Sequence, residues 1–188
     1  MLNLQGHLTM TARSIPRSHI KTARLSLRPT SVADAQRALE IQSDWNVTRN
    51  LANATYPADE KDMENWFASH EQEWAEGTAY RFAIEREGRM IGIVDVDGIS
   101  AGEGSLGYWL ERTVWGKGYG FEAAQAMIGF VFSEVGLSRL VSGHASDNAA
   151  SGRILASLGF TQIESRELLS RSRRETILQC RYTLAREA

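Results

Sequence analysis

The residues with the plainest chemical meaning are Gly116, Lys117, Gly118, Tyr119 and Gly120, in the stretch VWGKGYGFEAAQAM. Glycine takes every second position and then gives way to good helix formers. A glycine inside a helix costs about 1 kcal/mol relative to alanine, so three of them at a helix entrance imply a need for bare backbone. A glycine-rich turn at a helix N-terminus leaves several N–H groups unpaired at the positive end of the helix dipole. Such a place binds phosphate, and missing Cβ atoms let a pyrophosphate reach the backbone. Lys117 adds a solvated positive charge. The plainer alternative is a tight strand-to-helix turn, for which one glycine suffices.

Two other phosphate motifs are excluded. GEGSLG, residues 102–107, matches G-x-G-x-x-G but runs into the strand-like YWL, where a dinucleotide site needs a helix. No segment fits the nucleotide loop G-x-x-x-x-G-K-[ST]. His7, His19, His70 and His144 are the only histidines, and none sits at metal-ligand spacing from another His or from Cys180. No metal is expected.

The elements that must hold these residues follow from patterning. ARLSLRPT alternates Leu25 and Leu27 with polar residues, a half-buried strand ended by Pro29. A helix follows, with Val32, Ala35, Leu39 and Ile41 inward and Ser31 as its N-cap. Met63, Trp66, Phe67, His70 and Trp74 mark a second helix, closed by Gly77. YRFAIEREGRMIGIVDVDG reads as two strands around Glu87-Gly88, and SLGYWL as a third. The glycine segment opens a helix stopped by Gly136. RLVSGHAS is a strand, DNAASGRILASLGF a short helix and ETILQCRYTL a closing strand. Strand, glycine loop, helix and strand make a β-α-β unit, so LGYWL and RLVSG are expected to be parallel.

The chain has 188 residues, 43% hydrophobic and 23% charged, which suits one mixed α/β domain. A formal net charge of -2 gives no global attraction to nucleic acid. One cysteine allows no intrachain disulfide and fits a reducing compartment. No apolar run approaches the ~20 residues that span a bilayer, and MLNLQGHLTM lacks the features of a signal peptide. A soluble, cytoplasmic protein is expected. Residues 1–20 show no periodicity and are expected to form a loose arm or an edge extension before a domain over 21–188. Met10 is an alternative start.

LGYWLERTVWGKGYGFEAA followed by DNAASGRILASLGF resembles the GNAT superfamily of N-acetyltransferases. ARLSLRPTSVADA resembles the opening of its RimJ/RimL-type branch, the ribosomal-protein N-terminal acetyltransferases. The resemblance covers about residues 22–185 and implies a single domain with a mixed, mostly antiparallel sheet flanked by helices. It implies a parallel strand pair splayed to hold acetyl-CoA as co-substrate. Trp115 to Gly120 fall on the pyrophosphate signature [Q/R]-x-x-G-x-[G/A], with Trp115 where the family writes Gln or Arg. Backbone groups near Trp109 and Leu110 are implied to pair with the pantetheine arm. Asn148 and Ser151 match the family's N-x-x-S: Asn148 would hydrogen-bond the pantetheine and Ser151 would lie near the thioester sulfur. By residue type alone they read equally as a helix N-cap and a first-turn residue.

The implied reaction moves an acetyl group onto a neutral amine. At pH 7 an α-amine with pKa about 7.7–8.0 is roughly 10–20% neutral, whereas a lysine-like amine needs about 4.6 kcal/mol to lose its proton. A backbone N–H near Leu110 is the candidate donor to the oxyanion. Ser151 is the candidate acid for the departing thiolate. His144 is a candidate base, and the plainer reading is an exposed or hydrogen-bonded strand histidine. Asp95, Asp97 and Glu103 are further base candidates, though such residues are more often solvated strand-end charges. Trp45 and Arg49 are the candidate acceptor-binding residues. Trp66 and Trp74 read as core, and Cys180 as a buried strand residue. The acceptor would be a protein N-terminal amine. Alternatives are a small amine (polyamine, amino acid or antibiotic) or a non-catalytic acyl-CoA-binding module. The sequence leaves monomer and homodimer open.

Overall fold

The structure, a computed structural model, describes residues 15–186. The candidate start at Met10 lies outside them. The elements, in order, are β1 (Ile20–Lys21), β2 (Ser26–Pro29), a 3-10 turn, α1 (Ala35–Gln42), α2 (Trp45–Thr48), α3 (Glu60–Glu76), β3 (Tyr80–Arg86), β4 (Arg89–Ser100), β5 (Glu103–Leu110), α4 (Tyr119–Phe130), β6 (Arg139–Ala145), α5 (Ala149–Ser157), β7 (Thr161–Ser170) and β8 (Glu175–Ala185). They build one eight-stranded sheet in the order β1-β2-β3-β4-β5-β6-β8-β7. All neighbours are antiparallel except β5 and β6, which are parallel.

The helix ends follow the expected chemistry. Asp59 caps α3 by accepting from the Asp62 N–H at 2.9 Å, and Gly77 ends it in the left-handed region at φ +69°. Ser31 caps only the 3-10 turn. Asp34 closes that turn by accepting from the Ser31 N–H at 2.8 Å, and α1 starts one residue later.

Strand alternation sorts the core into two layers. Phe82, Ile84, Val94, Val96, Leu106 and Leu110 pack with Ala123, Met127 and Leu155 of α4 and α5. On the other face Ala83, Ile93 and Trp109 pack with Ala38 of α1 and Met63, Trp66 and Phe67 of α3. At about 25 cal/mol per Å2 of apolar surface, both layers hold the sheet against its helices. Trp74 is core as expected, whereas Trp66 is half-buried. His70 is buried beneath Trp66, ring centroids 4.5 Å apart. Burial, then the charges of Arg81 and Arg17, pushes its pKa down to about 3, so it packs as a neutral ring.

The first described residues are packed down. Ile15 O accepts from the Trp74 indole N–H at 2.8 Å, and Ile20–Lys21 pairs with Ser26–Leu27 at the sheet edge. At the opposite edge β7 is a strand that patterning does not reveal. Nearly all of it is exposed, and pairing with β8 along its length holds it.

Candidate active site

The parallel pair is short. β5 and β6 are in register only from Glu103↔Arg139 to Ser105↔Val141, yet β5 runs on to Leu110 and β6 to Ala145. Beyond Ser105 the strands diverge, and a hydroxyl takes over: Ser142 Oγ donates to Leu106 O at 2.9 Å. The splayed stretch opens into a cavity on each face of the sheet, about 690 and 700 Å3. Leu106, Gly107, Tyr108, Trp109 and Gly143 line both. Gly107 and Gly143 project toward the α3 face, by alternation from the core residues Leu106 and Leu140. The gap there is flanked by two residues without side chains.

The α4 face carries the glycine loop. Gly118 is the N-cap of α4 at φ +79° and Gly116 has φ +76°, a region that disfavours any other residue at both. A Cβ on Gly116 would meet nothing, and one on Gly118 would meet Arg24 Nη2 at 3.3 Å. The backbone N–H groups of residues 116–121 find no acceptor among the described residues. That is a row of free donors at a helix start, the requirement for an oxyanion-rich ligand. Gly120 packs the loop onto α5, where its Cβ would sit 3.4 Å from Ile154 Cδ1. Tyr119 is buried under two guanidinium groups, with Arg24 Cζ 4.7 Å and Arg86 Cζ 5.3 Å from its ring centre. Arg24 also donates to Lys117 O at 2.9 Å and pairs with Glu122 at 2.6 Å. This brace comes from the β1–β2 turn, and no local signal in the sequence marks it. Lys117 Nζ donates to Thr113 O at 3.1 Å.

Trp115 has a concrete task. Its indole N–H donates to Leu110 O at 2.9 Å, tying the glycine loop to the end of β5. Glu111 N donates to Ile91 O, so alternation turns the backbone groups of Leu106, Tyr108 and Leu110 toward the gap and those of Trp109 toward β4. The groups available to a ligand are therefore those of Tyr108 and the Leu110 N–H, not those of Trp109.

Asn148 caps α5, its Oδ1 accepting from Ser151 N at 3.2 Å, which leaves its amide N–H2 free toward the cavity it lines. Ser151 Oγ and Tyr108 OH are 2.8 Å apart. Burial pushes the Tyr108 phenol up to about 12 despite this bond. Tyr108 joins β5 to α5 at the gap, and sequence reasoning missed it. Its signal was present in LGYWL: it shares the strand face of Leu106 and Leu110. His144 lines the same cavity but is hydrogen-bonded, Nδ1 to Ala145 O at 2.8 Å and Nε2 to Tyr182 OH at 3.3 Å. Its ring lies against Gly152, where a Cβ would be 2.8 Å from Nε2.

On the α3 face the cavity wall comes from Asn50, Leu51, Asp62, Trp66, Arg81, Asp95 and Asp97. Trp45 and Arg49 line neither cavity. Trp45 leans on Tyr56, ring centres 4.8 Å apart, and Arg49 pairs with Asp147 at 2.7 Å. Arg173, from the β7–β8 turn, grips Asp147 with two bonds of 2.8 and 2.9 Å and donates to Arg49 O at 2.7 Å. Arg171 N donates to Ala52 O at 2.8 Å. The loop after α2 is thus held from a turn more than 115 residues away. Asp95 pairs with Arg81 at 2.5 Å and is not a solvated charge. Glu103 pairs with Arg139 at 2.9 Å at the closed end of β5. Cys180 is half-buried on β8. No group of His, Cys, Asp and Glu among the described residues could hold a metal ion. No helix among them is long and apolar enough to cross a membrane.

A two-faced sheet, a splayed parallel pair and a loop of free amides make a site for an oxyanion-rich ligand beside a gap in the sheet. The family model described as an acetyltransferase (GNAT) domain matches residues 24–161. The chain belongs to that family, and it is an N-acetyltransferase that uses acetyl-CoA. It is 32% identical over 143 residues to the "Uncharacterized N-acetyltransferase p20" of Bacillus licheniformis, covering 74% of this chain and 80% of that one. It is 26% identical to the "FsC-acetyl coenzyme A-N(2)-transacetylase" of Aspergillus fumigatus, covering 83% and 69%. The fold matches that of RimL, a ribosomal L7/L12 alpha-N-protein acetyltransferase solved with coenzyme A. The TM-score is 0.81 at 17% identity, over 89% of this chain and 98% of that one.

Proposed function

We propose that this chain acetylates the α-amine of a protein N-terminus by direct attack on the thioester of acetyl-CoA. The observation that carries the reading is the pair of cavities meeting through the sheet at Gly107 and Gly143, which lets thioester and amine approach from opposite faces. The match to the RimL fold supports a polypeptide acceptor. On the α4 face the free N–H groups of residues 116–121 hold the pyrophosphate, with Gly116, Gly118 and Gly120 keeping the approach clear and Lys117 adding charge. Asn148 donates from its free amide to the pantetheine arm. The Leu110 N–H, whose own carbonyl is occupied by Trp115, stabilises the negative charge that develops on the carbonyl oxygen. Ser151, hydrogen-bonded to Tyr108, protonates the departing sulfur. Tyr108 raises no charge of its own at neutral pH, so the hydroxyl pair delivers its proton only as the thiolate forms.

A small-molecule amine is the second reading, and the Aspergillus relative supports it, since its name specifies transfer to an N(2) nitrogen. Release of CoA thiol is measured with peptides bearing free or blocked N-termini and with a set of small amines. Turnover on free N-terminal peptides alone is expected. Turnover on small amines alone overturns the polypeptide reading, and acetyl-CoA binding with no turnover on any amine overturns the transferase reading.

A further inference from the structure

The α4 face supplies donors for the thioester and leaving group, and the ring of His144, its candidate base, is already engaged by Ala145 O and Tyr182 OH. On the α3 face Asp95 of β4 stands directly opposite Gly107 of β5. Opposed residues of an antiparallel pair project to the same face, and Gly107 leaves its share of that space empty. A Cβ there would lie 2.6 Å from Asp95 Oδ1. The carboxylate therefore leans over the β5 backbone at the junction of the two cavities. Its Oδ2 accepts from Arg81 Nη1 at 2.5 Å, while Oδ1 has no hydrogen-bond partner among the described residues. Resting on the transferase reading above, we propose that Asp95 is the general base, Oδ1 taking the proton from the acceptor nitrogen directly or through one water. The nitrogen lone pair forms the N–C bond, the C–S bond breaks, and the sulfur receives its proton from the Ser151–Tyr108 hydroxyl pair on the other face. The net change is amine plus acetyl-CoA to amide plus CoA thiol, Asp95 returning its proton to solvent and the hydroxyl pair recovering one from it. The sheet separates base from acid, so the two cannot exchange protons directly.

The charged surroundings suit this task. Burial pushes the Asp95 carboxyl up, the Arg81 guanidinium of β3 pulls it down, and Asp97 of β4 and Glu73 of α3 push it up again, leaving it at about 7. Arg171, Asp59 and Asp62 line the same cavity farther out. Against a base near 7, an α-amine is only about tenfold more reluctant to give up its proton. A lysine-like amine is roughly 2,500-fold more reluctant. The difference lies in the amines themselves: the α-amine is the easier of the two to deprotonate whatever the base.

The test is the pH dependence of kcat at saturating substrates for Asp95→Asn and Arg81→Lys, using peptides whose α-amines differ in pKa. In the wild type an acidic limb near pH 7 is expected to stay fixed as the amine changes. Asp95→Asn should bind acetyl-CoA within twofold of wild type by calorimetry, lower kcat about 100-fold and lose that limb. Arg81→Lys loosens the partner that pulls the carboxyl down, so the limb should move up by half a unit or more. This second variant decides the matter if Asp95→Asn does not fold. An unchanged kcat and limb in Asp95→Asn, or an unmoved limb in Arg81→Lys, overturns the base assignment while leaving the transferase reading intact. A wild type that binds acetyl-CoA and acetylates no amine overturns that reading and this one together.

Discussion

The two faces of the sheet solve the same problem by different means. The α4 face holds its ligand with backbone: free N–H groups of one contiguous stretch, 116–121, at one helix start, with the cap of the next helix beside them. The α3 face is built from side chains of the loop after α2, of α3, and of β3, β4 and β5. Arg173 joins Asp147 by an ion pair and Arg49 O, far off in sequence, by a hydrogen bond, and Arg81 pairs with Glu73, Asp95 and Asp97. A backbone site tolerates many side-chain changes but no Cβ at its turn. A side-chain site can be re-specified one residue at a time, because its parts are independent segments. In the proposed function acetyl-CoA sits on the first kind and the amine acceptor on the second.

The comparison breaks most sharply at Gly118. Gly118→Glu puts a side chain at φ +79° and a negative charge among the free amides, at a cost of about 1–2 kcal/mol for the backbone alone. Acetyl-CoA affinity is expected to fall about 100-fold by calorimetry in a protein with normal helical content. Unchanged affinity would remove the phosphate from this loop. Next comes Ser151→Ala, which should lower kcat about tenfold with acetyl-CoA affinity unchanged. Tyr108→Phe should do the same, and the double variant should add little, since the two hydroxyls act as one pair. Full additivity in steady-state kinetics would mean that they act separately.

A smaller effect is expected at the latch between the faces. Asp147→Ala unpairs Arg49 and Arg173, the second of which is buried, and should cost roughly 1–2 kcal/mol of stability in urea unfolding. It should raise the acceptor KM severalfold more than that for acetyl-CoA, because the released loop carries Ala52, Asn53, Ala54 and Thr55, which line only the α3-face cavity. Equal effects on both would mean that the latch is only structural. Smallest is His144→Gln, whose ring is tied to Ala145 O and Tyr182 OH. The acidic limb of the pH–rate profile should persist with kcat within about twofold, and its loss would restore His144 as a base.

The reading from sequence succeeded where structure is local. Gly116, Gly118 and Gly120, the N-cap at Asn148, the parallel pair and the rejection of GEGSLG all rest on turns, caps and periodicity within a few residues. β5 does run through that decoy motif as a strand. It fell short where a residue's role depends on what lies across the sheet. Trp45 and Arg49 look free by type and spacing, yet one stacks on Tyr56 and the other is held by Asp147. Asp95 reads as a strand charge, until folding pairs it with Arg81 and places Gly107 beside it. β7 lacks alternation because only β8 holds it.

The sequence by itself therefore determined most of the elements, the parallel unit, the family and the glycine turn that opens α4. Each depends on backbone conformation, which glycines, caps and hydrophobic period encode over short range. Tertiary structure alone decided how far β5 and β6 part, that Trp115 closes on Leu110, and that Ser151 meets Tyr108. It also decided that Asp95 meets Arg81 and stands against Gly107. Those outcomes depend on distances between segments up to 43 residues apart, and burial and Coulomb energies exist only once those segments pack.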